Sequence, residues 1–82
     1  MVTRTLWSLQ AGEECRIEAF DGKLEASYRV RMMDFGFSPG ERVSCVLSPG
    51  LGAPKIYRVS NTTFSLDDEI ATHILVSLLA DE

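Results

Sequence analysis

The tripeptide Ser-Pro-Gly occurs twice in this sequence, at 38–40 and at 48–50, and it divides the middle of the chain into short segments. Proline fixes the first corner of a turn, and glycine accepts the positive φ that the second corner needs. Between the two copies, Val43, Cys45 and Leu47 alternate with the remaining positions. This period of two is typical of a strand with one buried face. The feature therefore predicts a short strand bounded by turns, as in a small antiparallel sheet.

Four further segments carry strand signals. Cys15 and Ile17 alternate with charged residues ahead of a turn at Asp21-Gly22. The segment 55–59 is rich in β-branched and aromatic residues, and Ser60-Asn61 suits a two-residue turn after it. The predicted strands cover 14–19, 41–47, 55–59, 62–66 and 73–78.

The period of the apolar residues changes after the first strand. Leu24, Tyr28, Met32 and Phe35 follow one another at spacings of four, four and three, which places them on one side of a helix. Gly36 comes directly afterwards and suits the left-handed residue that ends many helices. The sequence therefore predicts an α-helix over about 24–35.

A short helical turn is predicted over about 66–71. Ser65 is positioned to cap it, and the acidic run 67–69 suits its positive end. The element order is then strand, helix, three strands, helical turn and final strand. Five short strands with hairpin-length connections favour a mainly β fold. We expect a small SH3-like barrel of about five antiparallel strands that carries an inserted helix.

Size and charge limit the functions open to the chain. Its 82 residues are expected to form a single domain over 1–82, and a hydrophobic content of 45% suffices for one core. The net charge is −4, and only Arg29 and Arg31 lie close together among the scattered bases. Binding to nucleic acid or to an anionic membrane needs clustered positive charge, so neither partner is expected. The apolar runs are far shorter than the ~20 residues of a membrane span, which favours a cytoplasmic protein.

No set of residues suits catalysis or metal binding. An enzyme needs a nucleophile, a base and an orienting group, and one histidine with two inward-facing cysteines supplies no such set. Cys15, Cys45 and His73 lack the short paired spacing that is typical of zinc sites. We expect no catalytic residue, metal site or cofactor. The alternative is a metal-responsive protein that binds a divalent transition-metal ion through these three residues or the acidic run 67–69.

One stretch of the chain resembles a known family. Residues 31–40 read Arg-Met-Met-Asp-Phe-Gly-Phe-Ser-Pro-Gly, which is similar to the Arg-Leu-x-x-Leu-Gly-Leu-x-Pro-Gly signature of FeoA domains. The chain departs from the family at Asp67, where an arginine is often found. Other matching pieces occur in the family's order: Leu6, Leu9 and Gly12 before the first strand, Cys15-Arg16-Ile17 within it, Pro49 to Ile56, and Leu66 with Ile74-Leu75-Val76 at the end.

The resemblance implies an SH3-like fold and a cytosolic accessory protein of ferrous iron transport. It implies that the chain binds a FeoB-type permease through the permease's cytosolic GTPase region and modulates it. The chain would then meet the membrane only through this partner, and homo-oligomer formation stays open. The fold is also similar to the C-terminal domain of DtxR-type repressors, but a repressor function is not expected for a chain of this length.

Apolar residues on the helix and on the second loop are the expected contacts with a partner. Adjacent methionines on a helix point about 100° apart, so one of the pair 32–33 is expected to be exposed. Methionine suits adaptable protein contacts. The alternative is that these are ordinary core and surface residues. The expected contact residues are Tyr28, Arg31, Met32, Met33 and Leu51, in a groove beside the helix and the loop 48–54.

Overall fold

A computed structural model describes residues 4–79, which form one antiparallel sheet with two α-helices and a 3-10 turn. The strands lie in the order β1-β6-β2-β3-β4-β5 across the sheet. The predicted mainly β fold is confirmed, with one strand more than expected. The elements are β1 (Arg4–Thr5), the 3-10 turn (Leu6–Ser8), β2 (Glu14–Phe20), α1 (Ala26–Phe35), β3 (Arg42–Leu47), β4 (Lys55–Val59), β5 (Thr62–Leu66), α2 (Asp68–Ala71) and β6 (Ile74–Leu78).

Helix α1 begins two residues later than the apolar spacing predicts. The Asp21 side chain accepts a hydrogen bond from the Lys23 N–H at 2.8 Å, which holds 21–23 in a turn. Leu24 is buried but precedes the helix. The predicted end is confirmed, because Gly36 adopts a φ of 110° and its N–H bonds to carbonyls of the last helical turn.

Helix α2 is shorter than the predicted helical turn. It covers Asp68–Ala71, and the residue that precedes it in the cap position is Asp67. Ser65 was the expected cap, but it belongs to β5 and pairs with Ile56 of β4. The strand therefore continues past the position from which Ser65 would reach the helix.

The β4–β5 hairpin forms as predicted, whereas the end of β3 does not. Ser60 and Asn61 both take positive φ, of 51° and 65°, as a two-residue hairpin turn requires. On β3, the register shifts between Cys45 and Leu47, so Val46 is an extra residue. The expectation that Leu47 faces the core is wrong, because this bulge turns it outward and leaves it 53% exposed.

Two polar residues of β4 hold the N-terminal segment against the core. Lys55 is only 8% exposed, and its ammonium group donates to the carbonyls of Trp7 and Leu9. The Tyr57 hydroxyl donates to the Leu6 carbonyl at 3.0 Å. The core thereby includes Leu6 and Leu9. The other core residues are Cys15, Ile17, Met32, Phe37, Val43, Cys45, Tyr57, Val59, Leu66, Ala71, Ile74 and Val76.

Replacing Lys55 with methionine should destabilise the protein, because the carbonyls of Trp7 and Leu9 lose their donor. We expect a loss of about 2–4 kcal/mol, as each buried unpaired group costs on the order of 1–3 kcal/mol. Urea unfolding followed by the fluorescence of Trp7, the single tryptophan, measures the change. The exposed Lys23→Met variant is the matched control and should stay within about 0.5 kcal/mol of wild type. Equal stability of the two variants would contradict the role of Lys55.

Gly36→Ala should destabilise the protein by about 1–2 kcal/mol, because a side chain is strained at this positive φ. The added Cβ would also lie 3.4 Å from Ser60 Oγ and from Val59 Cγ2. Gly22→Ala is the control, because open space surrounds the Cβ that it would add. Thermal unfolding of both variants checks the expectation, and a Gly36→Ala variant as stable as Gly22→Ala would refute it.

Candidate protein-docking surfaces

The exposed face of α1 carries part of the predicted contact set. Met33 is 42% exposed and Met32 is 2% exposed, which confirms that one of the two faces solvent. Tyr28 and Arg31 are also exposed. Met32 packs in the core against the sheet, so its assignment as a contact residue is corrected. Three predicted helical contacts therefore remain available to a partner.

The structure adds Val30, which the sequence analysis missed. Val30 is 57% exposed and lies three residues before Met33, so the two side chains are neighbours on the helix surface. The signal was present in the sequence as an apolar pair at this spacing on the side opposite Met32. It was missed because the helical pattern was assigned to a single buried face. We call Val30 and Met33 the helix stripe.

Aromatic packing fixes the end of α1 over β5. The Phe35 ring stacks on the Phe64 ring, with centroids 4.6 Å apart and planes 11° apart. Phe37 meets the same ring edge-on at 5.7 Å. Such pairs stabilise by about 0.5–1.5 kcal/mol beyond their buried area. The helix stripe is thus presented on an element that is anchored to the sheet.

The loop between β3 and β4 presents a second apolar surface. Leu51 is fully exposed and has a φ of 57°, between Gly50 and Gly52 with φ of 88° and 77°. A leucine is doubly disfavoured here, by its left-handed backbone and by its contact with water. The bulge residues Val46 and Leu47 are exposed at the same end of the β3–β4 hairpin. We call Val46, Leu47 and Leu51 the hairpin tip.

A groove of about 390 Å³ lies beside α1, but α2 borders it where the loop 48–54 was expected. Its apolar residues include Tyr28 and Ile70, and its acidic residues include Glu25 and Glu69. The groove is therefore separate from the hairpin tip. The residues that line it are Lys23, Leu24, Glu25, Tyr28, Asp67, Glu69, Ile70 and His73.

His73, which borders this groove, joins the end of β2 to the start of β6. Its Nδ1 lies 2.9 Å from Asp21 Oδ2, and its carbonyl accepts the Asp21 N–H at 2.9 Å. The hydrogen bond from His73 lowers the pKa of the Asp21 carboxyl below its usual value, with a further contribution from the Lys23 N–H. The two hydrogen bonds of this pair link the end of β2 to the start of β6.

The two cysteines are buried on inward strand positions, as predicted. Burial raises the pKa of the Cys15 thiol to about 12 and also raises the pKa of Cys45. Cys15 lies opposite Leu78, at the other end of β6 from His73, so about 16 Å of strand separates the thiol from the imidazole. Among residues 4–79, no group of three cysteine, histidine or carboxylate side chains is arranged to hold a metal ion.

The model of the FeoA domain matches residues 4–78. This chain belongs to the FeoA domain family. Its fold is similar to that of the FeoA of Stenotrophomonas maltophilia, solved with zinc and described as a procaryotic SH3 domain protein (28% identity, 89% of this chain and 88% of that one, TM-score 0.78). The FeoA of Chlorobium tepidum is also similar (26% identity, 95% and 73% coverage, TM-score 0.83). No curated protein matches the chain.

The SH3-like fold is shared more widely. A manganese-dependent transcriptional repressor in complex with manganese superposes with a TM-score of 0.84 at 18% identity, over 96% of this chain and 38% of that one. That likeness shows the fold alone. Within residues 4–79, no helix is long and apolar enough to cross a membrane. The family and the SH3-like fold expected from the sequence are therefore confirmed.

The FeoA signature at 31–40 has a structural role in this chain. Gly36 ends α1, and Phe37 enters the core. The Gly40 N–H donates to the Ile17 carbonyl at 2.7 Å, which docks the turn after the helix on β2. The signature thus positions α1 on the sheet, and its exposed Met33 belongs to the helix stripe, whereas the hairpin tip lies outside it.

The side-chain hydrogen bond between Asp21 and His73 predicts a loss of stability in acid. Because the folded-state pKa of Asp21 is lowered below 3.8, its contribution is fully present above that value and is lost as pH falls through the folded-state pKa. The urea midpoint of wild type should exceed that of Asp21→Asn at pH 6, and the difference should shrink as pH falls below 3.8. Asp34→Asn, an exposed helical carboxyl, is the control. A midpoint difference that does not depend on pH would contradict this account.

Proposed function

We propose that this protein is a cytoplasmic accessory protein of ferrous iron uptake that binds the cytosolic GTPase region of a FeoB-type permease and modulates it. Membership of the FeoA family supports this proposal. The similar Stenotrophomonas maltophilia protein has been put forward as a ferrous iron transport activating factor. The protein acts by contact and not by catalysis, and it reaches the membrane only through its partner.

The observation that carries the proposal is the exposure of Leu51 in a left-handed conformation. Leaving a leucine side chain in water costs about 1.5–3 kcal/mol relative to burying it. Leu51 lies between two glycines of positive φ, and its side chain projects into solvent. A partner that buries Leu51 with Val46 and Leu47 recovers this free energy, so the hairpin tip is the main contact.

The helix stripe supplies a second contact. Val30 and Met33 form an apolar strip, and Tyr28 and Arg31 are exposed on the same helix. Tyrosine, arginine and methionine are enriched at protein interfaces. These residues sit on an anchored helix, so little backbone entropy is lost when they are covered.

Modulation follows from differential binding. A GTPase region alternates between conformations, and a bound protein shifts the balance only by its difference in affinity for them. The hairpin tip and the helix stripe are presented on elements joined by one core. A protein with two contact surfaces distinguishes two states of a partner when only one state brings both complementary surfaces into reach.

Leu51→Asn should weaken binding to the isolated GTPase region of the permease at least tenfold, because the main apolar contact is removed. Its thermal midpoint should equal or exceed that of wild type, since asparagine accepts a left-handed backbone. Titration calorimetry measures the affinity. Met33→Ser tests the helix stripe and should weaken binding less, and Ser27→Ala on the same helix is the neutral control. Wild-type protein that fails to bind at tens of micromolar would refute the proposed partner.

A further inference from the structure

The fold gathers three arginines that are scattered in the sequence. Arg16 of β2 and Arg42 of β3 are direct cross-strand partners. Arg58 of β4 is the partner of Ser44, which places it diagonally from Arg42. All three lie at outward, exposed positions. We call Arg16, Arg42 and Arg58 the arginine face.

This arrangement is unfavourable in the isolated protein. Directly opposed residues on neighbouring strands have Cβ atoms about 4.5–5.5 Å apart, and like charges there are destabilising. Within residues 4–79, the only ion pair joins His73 to Asp21, so none of the three arginines is ion-paired; Glu14, which lies opposite Ser44, is diagonal to Arg42. A neutral residue at position 42 would remove the repulsion at no cost to the core. The charge is therefore not explained by stability.

A shallow hollow of about 720 Å³ adjoins these residues. Arg42 and Arg58 line it together with the carboxylates Glu13 and Glu14. Val46 of the hairpin tip also borders it. The arginine face is thus continuous with an exposed apolar surface, and Glu14 lies beside the arginines on the same face of the sheet.

We propose that the arginine face docks a carboxylate-bearing segment of a partner protein. A guanidinium group binds a carboxylate through two parallel hydrogen bonds. Three such groups on neighbouring strands fix the register of an acidic segment. This inference does not require the partner to be the permease.

The mixture of charges argues for a protein in preference to a nucleic acid or a membrane. A polyphosphate backbone presents negative charge along its whole length and would meet Glu13 and Glu14 at the border of the hollow. The net charge of −4 adds to that repulsion. A protein segment alternates acidic groups with apolar and basic ones, and it can therefore match the arginines, Val46 and the two glutamates together.

The first test is an NMR titration of the amide signals of the whole chain. The probe is a capped peptide in which glutamate alternates with alanine, and the comparison is the same peptide with lysine in place of glutamate. Only the glutamate peptide should bind, with the largest shifts at residues 14–16, 42–46 and 58, and the affinity should fall with salt. Shifts confined to other residues would overturn the proposal.

The second test separates a docking role from a structural one. Arg42→Gln should weaken glutamate-peptide binding at least fivefold and raise the thermal midpoint, because it relieves the repulsion with Arg16. Arg29→Gln on α1 is the matched control and should leave peptide binding unchanged. An Arg42→Gln variant with a lower midpoint would show that the arginine is structural and would overturn the proposal.

Two further arms test the nature of the partner. Single-stranded oligothymidine and phosphatidylglycerol vesicles should leave the same amide signals unshifted, and binding of either as tightly as the peptide would overturn the choice of a protein. Self-association in sedimentation that Arg42→Gln abolishes would make a second copy the source of the carboxylates and would also overturn it. Peptide binding without binding to the GTPase region would refute the proposed function while supporting this inference.

Discussion

The contact of the Lys55 ammonium group with the carbonyls of Trp7 and Leu9 supports the rest of the structure. An 82-residue chain buries only about 60–65% of its unfolded surface. Exposing one end of so small a core would therefore remove a large fraction of the buried apolar surface. Leu6 and Leu9 are buried at that end, and within residues 4–79 the strand that precedes them covers only Arg4–Thr5. The buried lysine supplies the missing hydrogen-bond donors. The same charge lies 4.9 Å from the Trp7 ring centre, where its interaction with the ring adds to the anchoring.

With the core closed by its own residues, the outer positions of β3 are free for other roles. Val43 and Cys45 face inward, and the bulge that follows turns both Val46 and Leu47 to solvent. A bulge changes the direction of side chains without breaking the strand. The exposed residues therefore sit on a hydrogen-bonded element, and only Leu51 lies on a loop. The strand residues of such a site lose little backbone entropy when a partner binds.

The sequence predicts the local features of this fold well and the long-range ones poorly. The Ser60-Asn61 turn and the glycine that ends α1 follow from the backbone preferences of those residues, so they could be predicted without any knowledge of the partner strands. The outward turn of Leu47 depends on its register with β4, which alternation along one strand does not encode. The opposition of Arg16 and Arg42 has the same origin, and charge clustering judged along the chain missed it.

In the proposed docking, the hairpin tip and the arginine face contribute different things to recognition. The hairpin tip gives affinity, because burying Leu51 and its apolar neighbours is favourable in any orientation. The arginine face is directional, since a guanidinium group pairs with a carboxylate only at short range and in a defined plane. An acidic partner is repelled by the net charge of −4 in most orientations and is attracted where the three arginines face it. The arginine face therefore orients an acidic partner as it approaches. Val46 borders the same hollow, so this orientation brings the partner against the hairpin tip.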